Sequence, residues 1–562
     1  MPETANWPRL TLAQAHARLT APGAPFELAE AVVRGISMPV WKNVPTTAAA
    51  VFERVRGFGA REFLVLDETR VSFDAFARAT LALAAALQAR GLAKGDRVAI
   101  AMRNLPEWPV VLMAALLSGA IAVPLNAWGS GAELAHGLSH SGARFLFADG
   151  ERLARLAGAL PPSVDHLIAV RASGAEGLEG LIGAPAAWPL LPEGVMPDVA
   201  LAPEDDATIF YTSGTTGRPK GALGTHRSLT TNIFAAPFVL ARAALRRGET
   251  PLEAAPQRVT LLAIPFFHVT ACLSSLIPNM AGGGKLVLMA KFDPETALAL
   301  IARERVTVTG GVPAIALSLL EHCAGHDVSS LQLVNYGGAP APASLARAVR
   351  AGLSAAPGQG WGMTETSATC TSHFAEEYEA HPESCGPALP VSRIKVTDAG
   401  GRALPPGEAG ELWAFGPNIA KAYWNDPAET AKTFVDGWVR TGDIARIDED
   451  GLCTILDRAR DMLIRGGENI YCAEVEQVLV QHPFVADAAL VGLPHPLLGE
   501  VPAAMVQLRP GAEVSAETLR AFAGDRLAAF KVPERILTCE TALPRNAGGK
   551  LVKDELRKAF LP

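Results

Sequence analysis

The sequence is poor in cysteine, and its seven cysteines are scattered. They stand at positions 272, 323, 370, 385, 453, 472 and 539, and no two of them form a C-x-x-C pair. This spacing argues against a zinc site or a disulfide framework, so reduced thiols and a cytoplasmic location are expected. Basic residues are not in excess either. The formal net charge of −7 gives no reason to expect a nucleic-acid partner.

Targeting segments and long apolar runs are also scarce. The first residues, MPETANWPRL, lack a basic start followed by an apolar run, which predicts no signal peptide. One uncharged run, Trp108–Ala132, is long enough to span a membrane, but Gly119 and Pro124 interrupt it. We therefore expect buried core elements in this run and no transmembrane segment.

The sequence does contain the apolar content of a large globular enzyme. Of its 562 residues, 49% are hydrophobic and 19% are charged, which predicts several domains with buried cores. Ser72 fits a helix N-cap, and the helix that follows carries Phe76, Leu83 and Leu87 on one face. Strands are then expected to alternate with helices in a parallel sheet, at 98–102, 120–123, 145–148, 259–264, 284–289 and 306–309.

The last third of the chain changes character. The Gly- and Pro-rich stretch 399–410 predicts turns that lead into a β-rich subdomain, with Glu411–Phe415 as a strand. After Arg460, the chain has a compact alternation of its own. The expected fold class is α/β, with a large N-terminal domain (1–459) of parallel-sheet α/β subdomains plus a β-rich subdomain, and a small α+β C-terminal domain (460–562). Residues 1–45 form an extension without a motif.

The most informative segment is Tyr211–Gly221, which reads YTSGTTGRPKG. Its glycines let the backbone curl closely around a ligand. Its hydroxyls, N–H groups and the Lys220 ammonium match the charge and the acceptor oxygens of a polyphosphate. A flexible polar linker has a similar composition. A P-loop of the G-x-x-x-x-G-K-[ST] type does not fit, because the glycine spacing differs and Gly221 stands where that motif has Ser or Thr.

Five further segments accompany this loop, in order along the chain. They read GGAP at 337–340, GWGMTET at 360–366, GWVRTGD at 437–443, DRARD at 457–461 followed by RGGENIY at 465–471, and PRNAGGK at 544–550. Together with the loop they resemble the AMP-forming acyl- and aryl-CoA synthetases, relatives of luciferases and of peptide-synthetase adenylation domains. The resemblance extends over roughly 72–553. Gly548 stands where this family more often has threonine.

The resemblance implies a site for ATP. Thr215 and Glu365 would ligate Mg²⁺, a hard ion that prefers oxygen ligands. Asp443 would accept hydrogen bonds from the ribose, and Arg458 would donate to the same region. Lys550 would orient the attacking carboxylate and the α-phosphate and neutralise the charge that develops between them. The other expected ATP-binding residues are Thr212, Ser213, Gly214, Thr216, Gly217 and Lys220 at the phosphates, Gly338, Ala339 and Trp361 around the adenine, and Gly362 and Thr364.

The resemblance also implies a second half-reaction, in which the CoA thiol attacks the acyl adenylate. Family members rotate the C-terminal domain between the two steps, which makes that domain mobile, and Arg460 occupies the hinge position. Gly466, Gly467 and Glu468 would border the pantetheine tunnel, where two glycines allow close approach of a thin ligand. A plain hairpin turn is the alternative explanation of these glycines.

The acyl pocket is expected around His268, in the segment PFFHV at 265–269. A histidine beside aromatic residues is as often a satisfied core residue. Peptide-synthetase domains usually have an aspartate at this place to hold an α-ammonium, so an amino-acid substrate is not expected. By resemblance, the remaining pocket residues are Phe267, Val269, Gly310, Gly311, Gly337 and Met363.

These observations favour an ATP-dependent carboxylic acid–CoA ligase that uses ATP, Mg²⁺ and CoA and forms an acyl-AMP. The apolar or small pocket residues favour a medium- or long-chain fatty acid, with an aryl acid as the alternative. A carrier-protein thiol as acceptor and a luciferase-like oxygenase stay open, because the adenylation residues would be the same. The expected partners are small molecules, and the oligomeric state, a dimer included, is left open.

Overall fold

The computed structural model describes residues 7–172, 176–212, 219–250, 256–339, 341–459, 461–465, 468–545 and 551–560. The chain divides into two compact units. The first consists of Met1–Gly338, Ala343–Ile394 and Ala414–Arg440. The second consists of Ala339–Pro342, Lys395–Trp413 and Thr441–Pro562.

The first unit contains an eight-stranded sheet that carries the glycine- and hydroxyl-rich segment. Asp206–Thr212 runs parallel to Ile121–Pro124 on one side and antiparallel to Lys220–Thr225 on the other. The expected parallel sheet is therefore confirmed, with an antiparallel edge. In spatial order its strands are Ala422–Tyr423, Lys220–Thr225, Asp206–Thr212, Ile121–Pro124, Arg97–Ala101, Phe145–Asp149, His166–Val170 and Glu176–Gly177.

A second eight-stranded sheet of the same unit carries the GGAP and GWGMTET segments. Leu333–Gly337 runs parallel to both of its neighbours, Val308–Gly311 and Ala356–Met363. GGAP therefore begins at the carboxyl end of its strand, and GWGMTET begins within the adjacent strand at Gly360, which pairs with Gly337. In spatial order the strands are Ala368–Phe374, Ala356–Met363, Leu333–Gly337, Val308–Gly311, Val259–Leu262, Lys285–Leu288, Glu62–Leu66 and Thr69–Ser72.

Several helices of the first unit begin at a side-chain cap. Ser72 accepts from the Ala75 N–H at the start of Phe73–Ala89, as the sequence predicts. The other α-helices of this unit are Leu12–Thr20, Ala48–Arg56, Glu107–Leu117, Gly131–Ser141, Gly150–Arg155, Leu178–Ile182, His226–Thr231, Ala235–Arg247, Val269–Ala271, Ile277–Gly282, Pro294–Glu304, Pro313–His322, Ala343–Leu353, Glu376–Ala380 and Pro427–Thr433. Shorter helical turns are Pro185–Leu190, Asn232–Phe234, Cys272–Leu276 and Thr364–Thr366.

The apolar run that raised the question of a membrane span lies inside the protein. Every residue of Glu107–Leu117 is buried. Among the described residues, one helical run, His226–Arg247, is long and apolar enough to cross a bilayer, but 61% of its apolar window is buried within the protein. Core helices of large proteins pass the same test of length and composition.

The N-terminal extension is joined to the first unit through buried charge. Its helix Leu12–Thr20 contributes His16, whose Nε2 lies 3.2 Å from a guanidinium nitrogen of Arg242. Burial lowers the pKa of His16 to about 4, and Arg242 adds to the effect. Arg242 is fully buried and forms a 2.8 Å ion pair with Glu377. The extension further contains a hairpin of Leu28–Val33 and Ile36–Trp41.

Residues 393–458 are rich in β-structure, as expected. They form a five-stranded sheet of Arg393–Thr397, Ala409–Phe415, Phe434–Val435, Trp438–Ile447 and Cys453–Arg458. The last hundred residues have their own five-stranded sheet of Leu463–Arg465, Glu468–Ile470, Val485–His495, Gly499–Leu508 and Arg535–Cys539. The helical elements beside it are Cys472–Val480, Ala516–Gly524, the short turn Ala529–Lys531, and Lys553–Lys558. The α/β fold class, with parallel-sheet, β-rich and α+β parts, is therefore confirmed.

Candidate active site

The two strands that flank the predicted phosphate loop are paired with each other. Thr212 ends its strand opposite Lys220, which begins the antiparallel neighbour. The strand that ends at Thr212 is parallel to its other neighbour, so Thr212 stands at a carboxyl end of the sheet, where open α/β sheets bind their ligands. The loop residues Ser213, Gly214, Thr215, Thr216 and Gly217 lie outside the described residues.

Tyr211 anchors the start of this loop. Its hydroxyl donates to the Gly137 carbonyl over 3.1 Å, and since it has one proton it accepts from Nδ1 of His140 at 2.9 Å. Burial lowers the pKa of His140, and His136 lowers it further, so a neutral imidazole is favoured here. The contact brings together residues about 70 positions apart, and no motif in the sequence indicated it.

Glu365 lies in a turn whose backbone is tightly constrained. Thr366 Oγ1 accepts from the Met363 N–H over 2.8 Å and donates to the Ala368 carbonyl over 2.7 Å. Ser367 and Ala368 have φ values of 46° and 82°, which residues other than glycine rarely adopt. Such conformations persist where the surroundings determine them, and they are frequent at functional sites. The turn thus fixes the position from which the Glu365 side chain projects.

The Glu365 carboxylate is buried, and the structure gives it one hydrogen-bond partner among the described residues. The residue is only 4% exposed, and its Oε1 accepts from the Tyr423 hydroxyl over 2.6 Å. No bond to Oε2 occurs within the part of the chain that the structure describes. A carboxylate with one oxygen free is the hard donor that Mg²⁺ prefers. The described residues contain no cluster of three or more His, Cys, Asp or Glu, so a metal here would depend also on hydroxyl, water and phosphate oxygens.

Lys220 is held by a carboxylate that the sequence did not single out. Its ammonium lies 2.5 Å from Glu429 and 5.1 Å from the centroid of the Tyr423 ring. The hydrogen bond from Lys220, with a second from Lys432, lowers the pKa of Glu429 to about 2. Glu429 is therefore charged at neutral pH, and a phosphate would compete with it for the ammonium. Phosphate binding by Lys220 stays a prediction.

Gly338 leaves open space at the end of its strand. It has a φ of 75°, and a Cβ at this position would meet no atom within 4 Å. Both properties suit a ligand that approaches the backbone closely. Gly338 and the following Ala339 directly continue Leu333–Gly337, as the predicted adenine site requires.

Several other glycines of the motifs are explained by close strand packing. A Cβ on Gly362 would lie 1.8 Å from the Ala368 carbonyl oxygen, and one on Gly337 would lie 2.7 Å from the Gly360 oxygen. Trp361 beside them is 9% exposed. The expected roles of these residues, and of Thr364 in the turn before Glu365, in binding ATP stay predictions.

The loop with His268 is fixed by Asn104, a residue that the motifs did not indicate. Asn104 Nδ2 donates to the Ile264 carbonyl over 3.0 Å, and its Oδ1 accepts from the Phe266 N–H over 2.8 Å. Asn104 follows a strand of the first sheet and Ile264 follows a strand of the second. One buried amide therefore ties together loops at the ends of both sheets. Only the folded structure brings these residues, 160 positions apart, into contact.

The predicted acyl-pocket residues are mostly apolar, and Phe267, Val269 and Gly311 among them are buried. Phe267 and Val269 are 7% and 8% exposed, and the Phe267 ring meets Trp128 edge-on at 5.6 Å. His268 is partly exposed, with its ring 4.5 Å from that of Phe267. A Cβ on Gly311 would lie 2.6 Å from Ile315, so this glycine makes room for apolar side chains. Gly310 is explained by close packing, since a Cβ at this position would lie 1.7 Å from the Asn335 carbonyl oxygen. Met363 is partly buried at the end of its strand.

Asp443 and Arg458, both in the second unit, are paired with each other. They face one another across antiparallel strands, with Arg458 Nε 2.7 Å from Asp443 Oδ1. Asp443 is 2% exposed, and its N–H donates to Thr441 Oγ1 over 3.0 Å. Their expected roles at the ribose stay predictions.

Asp457 is a buried carboxyl that the DRARD motif contained but did not explain. It accepts from the N–H groups of Arg458 (2.8 Å) and Cys472. Burial raises the pKa of Asp457 to about 6, although the nearby Lys553 acts to lower it. Lys553 in turn lies 2.9 Å from Glu476.

Because the pKa of Asp457 is raised in the folded chain, its contribution to stability should depend on pH. Between pH 3.8, its ordinary pKa, and about 6, the folded chain keeps a proton that the unfolded chain has lost. The contribution of Asp457 to stability is therefore complete below this window and falls as pH rises through it, by about 3 kcal/mol. Asp457→Asn cannot ionise, so its free energy of unfolding should improve relative to wild type between about pH 4 and pH 7. A difference that does not change with pH would contradict this expectation.

The remaining predicted residues belong to the C-terminal segments. Glu468 is exposed and begins the strand Glu468–Ile470. The hinge residue Arg460, the glycines Gly466 and Gly467, and the catalytic candidate Lys550 lie outside the described residues.

Comparison with known proteins gives the context for this geometry. A family model for AMP-binding enzymes matches residues 51–424, and one for the AMP-binding enzyme C-terminal domain matches residues 474–550. The chain is 36% identical over 499 residues to a feruloyl-CoA synthase from an Amycolatopsis species, covering 88% of this chain and 94% of that protein. It is 34% identical over 478 residues to a long-chain-fatty-acid–CoA ligase from Mycobacterium tuberculosis, covering 84% and 90%.

A solved structure is similar as well. It is that of O-succinylbenzoate coenzyme A synthetase from Bacillus subtilis in complex with ATP and magnesium ion, with a TM-score of 0.75 and 31% identity over 90% of this chain and 98% of that one. The chain therefore belongs to the family of AMP-binding, adenylate-forming enzymes. Within that family it is an AMP-forming ligase of the acyl- and aryl-CoA ligase class.

Proposed function

We propose that the protein joins a fatty acid of medium or long chain to coenzyme A, with ATP and Mg²⁺, through an acyl-AMP. The observation that carries the proposal is the buried Glu365 carboxylate in its constrained turn, where Oε1 accepts from Tyr423 and Oε2 has no partner among the residues that the structure describes. The turn lies at the carboxyl end of its strand, as the phosphate-loop hairpin does in the first sheet. The relative whose structure was solved in complex with ATP and magnesium ion supports the same co-substrate here.

In the proposed reaction the chain's own residues bind and orient two anions. Lys220, released from Glu429, would contact phosphate oxygens, and Glu365 would hold the metal in place. Magnesium, when bound, supplies charge neutralisation at the phosphates. Lys550 would stabilise the charge that gathers as the carboxylate attacks the α-phosphorus and pyrophosphate leaves. Gly466, Gly467 and Glu468 would then border the path of the CoA thiol.

The buried apolar surroundings of His268 support an apolar acid. Phe267 and Val269 are buried and carry no charge, and Trp128, which meets Phe267 edge-on, has the Arg103 guanidinium 5.9 Å from its ring centroid. An aryl acid is the second candidate, because the Amycolatopsis relative is a feruloyl-CoA synthase. A carrier-protein thiol as acceptor is a further variant of the same chemistry.

Pyrophosphate release in the presence of CoA, measured across fatty, benzoic and cinnamic acids, tests the substrate class. We expect kcat/KM for the best fatty acid to exceed that for the best aryl acid by at least roughly tenfold, which is about 1.4 kcal/mol in the barrier. A preference of that size for a cinnamic acid would make the protein an aryl-CoA ligase. If turnover occurs only when a carrier protein is supplied, the acceptor is the thiol of that protein and not CoA.

A further inference from the structure

We propose that Tyr423 is a positioning residue for Glu365, and that its hydroxyl sets the magnesium dependence of ATP binding. The inference rests on the proposed function, since it assumes that Glu365 ligates the metal. Neither the motifs nor the resemblance assigned Tyr423 a role. What points to it is one hydroxyl that contacts the only carboxylate of the GWGMTET segment.

The contact between the two side chains is short and buried. Tyr423 is 8% exposed, and its hydroxyl donates to Glu365 Oε1 over 2.6 Å. A hydrogen bond to an ionised carboxylate is stronger than one between neutral groups. It leaves Oε2 as the oxygen available to a metal.

The backbone on each side of this contact is also connected. The Ala420 N–H donates to the Glu365 carbonyl over 2.8 Å, and Asn418 Nδ2 donates to the Thr366 carbonyl over 2.8 Å. The segment that ends at Tyr423 therefore forms three hydrogen bonds with the turn, from Asn418, Ala420 and Tyr423. The hydroxyl is the only one of the three that reaches the carboxylate itself.

Other contacts fix both the backbone and the ring of Tyr423. Ala222 pairs with Tyr423 across the sheet, and the Tyr423 N–H donates to Thr430 Oγ1 over 2.9 Å. Phe434 meets the ring edge-on at 5.4 Å, and the Lys220 ammonium lies 5.1 Å from its centroid. One rigid ring thus stands between the metal-ligand candidate and the lysine of the phosphate-loop hairpin. Removal of the hydroxyl alone would free the carboxylate and leave these contacts in place.

Tyr423→Phe, compared with Tyr378→Phe, tests the proposal. Tyr378 is fully buried and its hydroxyl bonds the Tyr336 hydroxyl at 3.1 Å, so this control removes a buried hydroxyl bonded to a neutral partner. The dissociation constant of ATP is measured by calorimetry, first in EDTA and then at increasing Mg²⁺. Loss of an outer partner typically costs 10–100-fold in metal affinity. We expect Tyr423→Phe to need roughly tenfold more Mg²⁺ than wild type for the half-maximal increase in ATP affinity. The dissociation constant of ATP in EDTA should be the same in Tyr423→Phe and wild type. Tyr378→Phe should behave like wild type in both measurements.

Two results would overturn the role of Tyr423. One is an unchanged Mg²⁺ requirement in Tyr423→Phe. The other is an equal weakening of ATP binding with and without Mg²⁺, which a general loss of packing would produce. If the wild-type protein binds no ATP with or without Mg²⁺, that result would instead contradict the proposed function on which the inference rests. Thermal unfolding of each variant shows that the folded enzyme is being compared.

Discussion

Lys550→Ala should abolish acyl-AMP formation while it spares thioester formation from supplied acyl-AMP. Adenylation brings two anions together and gathers negative charge on the α-phosphate, and a positioned ammonium counters that charge. Loss of a donor that acts on transition-state charge typically costs roughly 10²–10³ in rate. The second half-reaction starts from an adenylate in which the carboxylate is already joined to the α-phosphate as a mixed anhydride, so it should not need this lysine. Acid-dependent exchange of pyrophosphate into ATP measures the first step, and thioester formation from synthetic acyl-AMP measures the second.

Lys558→Ala is the matched control for this variant. Lys558 is an exposed lysine at the end of the last helix, Lys553–Lys558, and its loss should leave both half-reactions at wild-type rates. Equal loss of both half-reactions in Lys550→Ala would contradict the assigned role. It would indicate that the lysine supports the fold or the CoA site instead.

Glu365→Gln is expected to have the second largest effect. Glutamine keeps the shape of the side chain, and its carbonyl oxygen can still accept from Tyr423. It lacks the negative charge that a magnesium ligand supplies. Adenylation should therefore slow by roughly 10²-fold or more, because charge neutralisation by the metal is worth several kcal/mol. Thioester formation from supplied acyl-AMP should change much less.

Glu376→Gln controls for the loss of a carboxylate elsewhere in the same unit. Glu376 is partly exposed and forms a 3.0 Å ion pair with Arg247, a surface interaction of the kind that contributes little. Both half-reactions should stay near wild type in this variant. If Glu365→Gln forms the adenylate at the wild-type rate in saturating Mg²⁺, Glu365 is not a ligand of the metal.

Local patterns in the sequence predicted much of the fold. The helix after Ser72 and the buried strand near 98–102 follow from spacing, capping and apolar content, and the structure has them at Phe73–Ala89 and Arg97–Ala101. Boundaries shift where contacts between strands decide them. The strand expected at 306–309 lies at Val308–Gly311, since Gly310 lets it approach Asn335 more closely than any side chain would permit.

The residues that support the site could not be predicted in the same way. Asn104, Tyr423 and Asp457 each act through a contact with a distant or separately folded segment. Asparagine, tyrosine and aspartate are common residues, and no local pattern distinguishes these three. Motifs identify groups that touch a ligand, whereas the residues that hold those groups depend on how the sheets and loops come together.

The central claim is that this enzyme activates its acid as an acyl adenylate. Products and exchange, measured with ATP, Mg²⁺ and the best acid of the panel, test it most directly. We expect AMP and pyrophosphate in equal amounts, one acyl-CoA for each AMP, and exchange of labelled pyrophosphate into ATP that requires the acid but not CoA. Formation of ADP and phosphate, or exchange that occurs only with CoA present, would contradict the claim.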